Sequence, residues 1–285
     1  MKHLIVVPTR DRIEMCRKTI PLLVEQDLPV LLVTEKDEVM NYSILLREIG
    51  LTPGLEVAVI GLPLKNQGHG YSRAWITEVA REWGYTSLLF VDDDSKINKG
   101  YNCRPMLEFV EAKKGMVCAG WHSNYGIWIK GGNAVAKEPN LVVPRPQGHD
   151  HVYAVNIDLV LKAGNFERRL YSHVNAELNR SGIASGYLWF VHTGVHISCL
   201  NKPGDPGGIA TQLGEGWKKR PEVVDRTHEI ILNNWGPKYI SPMGKRITTK
   251  WQLLATDYIG PKAALALKEA APFDEAEVTA EMFRG

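Results

Sequence analysis

The chain has 285 residues, 44% of them hydrophobic, with a formal net charge of +2 at pH 7. That is enough apolar material for a full core, in one large domain or two fused halves. The near-balanced charge falls short of the strongly basic balance of a dedicated nucleic-acid binder. No stretch approaches the ~18 consecutive apolar residues of a membrane span. Met1 leads straight into a strand-like segment without a signal-peptide pattern, so the expectation is a cytoplasmic protein with no membrane partner. Cys16, Cys103, Cys118 and Cys199 form no CxxC pair, which points to reduced, mostly buried thiols rather than a zinc knuckle or a disulfide framework.

In chain order, residues 4–7 read as a strand broken by Pro8 and Thr9, and residues 12–25 carry helical periodicity through Ile13, Cys16, Ile20, Leu23 and Val24. Residues 29–34 give a second strand, followed by a helix ending near Gly50, and residues 56–61 give a third. A polar, glycine-bearing loop at 65–70 leads into a helix over 72–83, with Trp75, Ile76, Val79 and Trp83 at helical spacing and Gly84 as terminator. Residues 87–91 form a fourth strand that runs directly into Asp92, Asp93 and Asp94. Apolar runs alternating with helices predict an α/β architecture, a Rossmann-like, mostly parallel sheet flanked by helices.

The second half is less regular. It contains a strand over 116–121, a turn at Gly131-Gly132-Asn133, a strand over 152–157 and a short helix stopping at Gly164. A Gly- and Pro-dense stretch over 201–216 suggests a long functional loop or lid. Basic pairs at Arg168-Arg169 and Lys245-Arg246, and the run from Lys218 to Arg220, read first as solvated surface, and residues 274–281 are acidic.

In open sheets of this kind ligands bind beyond the carboxyl ends of the strands. Here those ends carry Pro8-Thr9-Arg10-Asp11-Arg12, Glu35, the loop with Gln67-Gly68-His69-Gly70, and the aspartate run. Three adjacent carboxylates repel one another and call for a compensating cation or an exposed turn. In extended backbone Asp92 and Asp94 point to one side, an arrangement that serves Mg²⁺ or Mn²⁺ together with a neighbouring ribose or phosphate. Arg10, Arg12 and Arg73 are candidates for phosphate contact, because a guanidinium fork matches paired phosphate oxygens. Ser72-Arg73 follows the glycine-flanked loop, where backbone can approach a nucleotide closely.

The order Val6-Val7-Pro8-Thr9-Arg10, Glu35, Tyr42, Gly70-Tyr71-Ser72-Arg73-Ala74 and Leu89-Phe90-Val91-Asp92-Asp93-Asp94 resembles the nucleotide-sugar half of GT-A glycosyltransferases. More narrowly it is similar to the phage TET-associated glycosyltransferases that sugar-modify hydroxymethylated pyrimidines in DNA. The resemblance covers residues 3–97. It implies a GT-A fold with a donor half over 1–110, an acceptor-binding and catalytic half over 111–260 and a helical, acidic tail over 261–285. It also implies a nucleotide-sugar donor, UDP-linked, a divalent metal, and DNA as acceptor, in the host cytoplasm if the protein is phage-encoded. Asp92 would then sit near the ribose and Asp94 on the metal, with Pro8 to Arg10 and Glu35 around the base and Asp93 beside them.

Further on, Gly164-Asn165-Phe166-Glu167 resembles the turn before the acceptor site, and Val174-Asn175-Ala176-Glu177-Leu178 falls where inverting members carry an acidic motif. Asn175 cannot act as a base, so Glu177 becomes the substitute candidate. The alternative is a retaining mechanism in which the leaving diphosphate assists. The resemblance also implies a histidine from this region as a further metal ligand, and His192, which follows an apolar run, is favoured over His196. His149-Asp150-His151 is a candidate for a separate metal site of the kind a hydrolase uses. Trp121, Asn175 and Trp217 are expected on the acceptor side, with Tyr125, Trp128 and Trp235 as further stacking groups. Competing readings are transfer to a glycan or lipid carrier and a nucleotidyltransferase. Thr9-Arg10-Asp11-Arg12 lacks the glycines that the latter would want, and a non-catalytic nucleic-acid module leaves the aspartates unexplained.

Overall fold

The computed structural model describes residues 2–122, 141–145, 151–171, 173–200, 220–243, 246–270, 272–279 and 281–284. The turn at 131–133, the loop at 201–216, and Tyr125, Trp128, His149, Asp150, Trp217, Lys218, Lys219 and Lys245 lie outside them.

The first half alternates strand and helix: β1 (His3–Pro8), α1 (Ile13–Val24), β2 (Val30–Glu35), α2 (Val39–Glu48), β3 (Val57–Leu62), α3 (His69–Glu82) and β4 (Ser87–Val91). There follow β5 (Ser95–Ile97), α4 (Arg104–Glu111), β6 (Val117–His122), β7 (Leu141–Arg145), β8 (Val152–Asn156), α5 (Ile157–Lys162), α6 (Val174–Ala184) and β9 (Trp189–Cys199). The chain ends with α7 (Pro221–Tyr239), the β10 (Ile240–Met243) and β11 (Arg246–Thr249) hairpin, α8 (Trp251–Tyr258), α9 (Pro261–Glu269) and β12 (Phe273–Asp274).

One sheet runs in the order β12-β7-β9-β6-β8-β4-β1-β2-β3, with β5 paired to β9. Strands β4, β1, β2 and β3 are parallel, whereas β8 is antiparallel to both β4 and β6. Side chains alternate across the pleat, so Ile5, Val7, Leu89 and Val91 join one core with Cys16, Ile20, Leu45 and Leu254, while Leu4, Val6, Leu88 and Phe90 join the other with Ala74, Ile76 and Leu178. Both faces are covered, which is why these strands read as continuous apolar runs. Among the described residues no helix is long and apolar enough to cross a membrane.

Two differences from the sequence reading have tertiary causes. Helix α3 begins at His69, three residues before the predicted start, because Gly68 adopts φ +85° and Gly70 packs where a Cβ would strike the Glu167 carbonyl. The acidic tail is also more than a surface segment. Its β12 adds to β7, and Val278 and Phe283 are buried in the core.

Candidate metal and donor site

The three aspartates make the turn from β4 into β5. The Ser95 N–H donates to the Asp92 carbonyl at 2.9 Å, the Leu200 N–H to the Asp94 carbonyl at 2.6 Å, and the Thr19 hydroxyl to the Asp93 carbonyl at 2.8 Å. With the backbone fixed, the side chains take separate partners. Asp93 accepts from Thr9 Oγ1 at 2.8 Å and from Arg12 Nη1 at 2.9 Å, and the same Arg12 nitrogen donates to Asp94 Oδ2 at 2.6 Å. Asp92 accepts from Arg73 Nη2 at 3.0 Å, and its other oxygen lies 3.3 Å from His151 Nδ1.

His151 arrives through the sheet. Val91 pairs with Val152, and the Asp92 N–H donates to the His151 carbonyl at 2.8 Å, so the residue preceding β8 stands opposite the residue following β4. One ligand atom from each of Asp92, Asp94 and His151 lies within 4.8 Å of the others. Two hard carboxylate oxygens and an imidazole nitrogen fit a divalent ion such as Mn²⁺, and the carboxylates alone suit Mg²⁺.

Burial disfavours charge on His151, but hydrogen bonds to Asp92 and Cys199 outweigh it and push its pKa up to about 11 with no metal present, so a metal ion bound through this imidazole would have to displace a proton. Burial likewise opposes ionisation of Asp92, yet His151, Arg73 and His69 hold its carboxyl below the usual range. Asp93 goes the other way. Burial, reinforced by Asp94, prevails over Arg12 and raises it to about 7. For Arg12, burial is again opposed by its two carboxylates, and the net shift is upward.

His192, expected as a metal ligand, lies outside the group formed by Asp92, Asp94 and His151. It is buried inside the sheet, its Nε2 is 3.0 Å from Glu275 Oε2, and its Nδ1 accepts from the Gly194 N–H at 3.0 Å. Among the described residues the histidine beside the aspartates is His151, while His149 and Asp150 of the same motif lie outside them. Arg12, expected at a phosphate, closes on the carboxylates instead. Glu177, the candidate base, is buried, pairs with Arg180, and accepts from Asn234 Nδ2 at 2.8 Å and Trp235 Nε1 at 2.7 Å. Those bonds tie α6 to α7 and commit the carboxylate to the fold.

On the donor side Pro8 pairs with Val33, and Thr9 spends its hydroxyl on Asp93 and on the Tyr42 hydroxyl at 2.9 Å. Arg10 Nη1 lies 3.2 Å from Glu35 Oε1 at the end of β2. The Ser72 hydroxyl donates to the His69 carbonyl at 3.1 Å, and Gln67 folds onto the Lys65 carbonyl at 3.0 Å. Arg73, buried over the rings of Phe90 and Tyr153, joins Asp92 to Asn175, donating from Nη1 to Asn175 Oδ1 at 2.9 Å. Trp121 belongs to another cluster, stacked on His196 with ring centroids 4.1 Å apart and with Tyr101 edge-on to the same imidazole. Sequence reasoning did not pair His151 with Asp92, because the two meet only where β8 lies against β4.

Parallel strands β4, β1, β2 and β3 continued by a largely antiparallel second half, with carboxylates past β4, make the GT-A architecture. Residues 3–101 match the family model for TET-Associated Glycosyltransferase, and over that stretch the chain resembles the family. A search of curated protein sequences gave no match.

Three solved structures share the fold. S. aureus TarS 1-349 in complex with UDP-GlcNAc is 16% identical, with 90% of this chain and 71% of that chain covered and a TM-score of 0.53. GalNAc-T7 with UDP, GalNAc and Mn²⁺ is 10% identical, with 84% and 49% covered and a TM-score of 0.60, so this chain spans about half of it. Mannosyltransferase PcManGT from Pyrobaculum calidifontis, in complex with GDP-Man and Mn²⁺, is 13% identical, with 94% and 72% covered and a TM-score of 0.54. At these identities the likeness is one of fold.

Proposed function

We propose that the protein moves a sugar from a uridine-diphosphate donor to a hydroxyl acceptor, and that the acceptor is a 5-hydroxymethylated pyrimidine in DNA. The observation that carries the donor side is the convergence of Asp92, Asp94 and His151 at the end of β4, within reach of Arg73. The DNA acceptor rests on the family named for residues 3–101.

In this reading Asp92, Asp94 and His151 hold the divalent ion, which when bound neutralises charge gathering on the departing diphosphate. Arg73 keeps Asp92 and Asn175 in fixed relation, so the donor ribose and the acceptor side are held in register. Glu35 and Arg10 receive the base. Trp121, and Trp217 beyond the described residues, contribute aromatic surface on the acceptor side, where a base drawn out of a duplex needs a stacking partner.

The test is incubation with a panel of UDP-sugars, Mn²⁺ and hydroxymethylcytosine-containing DNA, followed by nucleoside mass analysis. A hexose- or pentose-sized gain on the modified nucleoside supports the reading. UDP release with a glycan or lipid acceptor and no mass gain on DNA would reject the DNA acceptor and keep the donor.

A further inference from the structure

The loop between β3 and α3 is held from both halves of the molecule. Asn66, at φ +60°, donates its backbone N–H to Glu35 Oε1 at 3.1 Å, and its side-chain Oδ1 accepts from Arg10 Nη2 at 2.5 Å. From the segment between α5 and α6, the Tyr171 hydroxyl donates to the Asn66 carbonyl at 3.2 Å. The Tyr171 ring lies where a Cβ on Gly68 would collide with it, and Arg226 of α7 covers the ring at 5.6 Å. The Gly70 N–H donates to the Leu170 carbonyl at 3.1 Å, closing the latch.

The consequence falls on Glu35. Its Oε1 is shared by Asn66 and Arg10, whereas Oε2 has no hydrogen-bond partner although the residue is only 5% exposed. A buried acceptor left unmet is costly, so it is poised for a donor brought by a ligand.

We infer that Asn66 and Tyr171 are positioning residues that set the base specificity of the donor site. They pin Glu35 so that it offers a single oxygen, which matches the one N–H of the uracil imide edge, with the Arg10 guanidinium beside it to meet a flanking carbonyl. Cytosine carries no hydrogen at the corresponding ring nitrogen. Guanine presents adjacent N–H groups that call for both carboxylate oxygens, and one of those is taken. This inference rests on the donor reading above.

The test is calorimetric titration of the full chain with UDP, CDP, GDP and pyrophosphate, each with Mn²⁺. Tyr171→Phe removes one oxygen atom. Asn66→Gly tolerates the positive φ and keeps the main-chain N–H while deleting the acceptor for Arg10. Each variant is expected to weaken UDP about fivefold, the scale of one hydrogen bond, and to narrow the preference for UDP over GDP. Pyrophosphate, which has no base, should bind both variants as it binds the wild type, and it reports that the site is folded. Equal weakening of UDP and pyrophosphate, or unchanged UDP binding in both variants, would overturn the assignment. A wild type that binds pyrophosphate but none of the nucleotides overturns the donor reading, and the assignment with it.

Discussion

Arg12 donates to Asp94 at 2.6 Å through the same nitrogen that reaches Asp93 at 2.9 Å. One guanidinium N–H group therefore balances two buried carboxylates next to the proposed metal position. Removing it leaves adjacent like charges in a low-dielectric setting, which costs about 3 kcal/mol where a buried pair is broken. Arg12→Met is expected to lower the melting temperature of the metal-free protein markedly, and Mn²⁺ should restore more stability to the variant than it adds to the wild type. Equal Mn²⁺ stabilisation of the two proteins would show that Arg12 and the cation do not share Asp94.

The histidine assignment separates cleanly by binding. Asp94→Ala should abolish Mn²⁺ binding, and His151→Ala should weaken it at least about tenfold, the scale seen when a metal site loses a supporting group. His192→Ala should leave Mn²⁺ affinity intact while removing the contact to Glu275 that holds the C-terminal strand, at a stability cost of about 1 kcal/mol. Calorimetric titration and thermal melting on the three variants decide it. A metal-binding defect in His192→Ala would return His192 to the metal site.

Glu177 is expected to behave as a strut. Glu177→Gln leaves Arg180, buried at 1% exposure, without its charge partner and should cost about 3 kcal/mol in urea unfolding. A residue acting as the base would instead lose turnover with stability unchanged.

Acid should loosen the strap that backs α3. The Arg169 side chain, with the Arg169 N–H and Asn234, holds the Glu167 carboxyl down at about 2. A depressed carboxyl contributes stability above its unfolded value of about 4.3 and loses that contribution as pH falls through the folded value. The Arg169 side chain is exposed and solvent screens the pair, so the effect is about 0.5 kcal/mol. Chemical unfolding of wild type and Glu167→Gln should therefore differ at pH 6 and converge toward pH 2.

The first half of the fold was legible because its signals are local. Strands covered on both faces appear as apolar runs, and the helices between them show their own periodicity, so β1 to β4 and the position of the aspartates follow from residue order. The strand-end rule then located Asp92, Asp94 and Glu35 at the carboxyl ends of β4 and β2. Strand β7 was not read, because its five residues include Pro144, and a proline argues against a strand inside a sheet.

What residue order could not decide was which distant groups would face those carboxylates. His192 and His151 both neighbour apolar strands, and only the pairing of β8 against β4 puts His151 opposite Asp92. Glu177 is an acid at a helical position, and its commitment to Arg180, Asn234 and Trp235 exists only once α6 packs on α7. The sequence by itself determined the α/β order and the chemistry at the strand ends, since backbone propensity and alternation act over a few residues. The tertiary structure decided which histidine stands beside the aspartates, the partner of Arg12 and the latch on Glu35, because each depends on contacts between residues far apart in the chain.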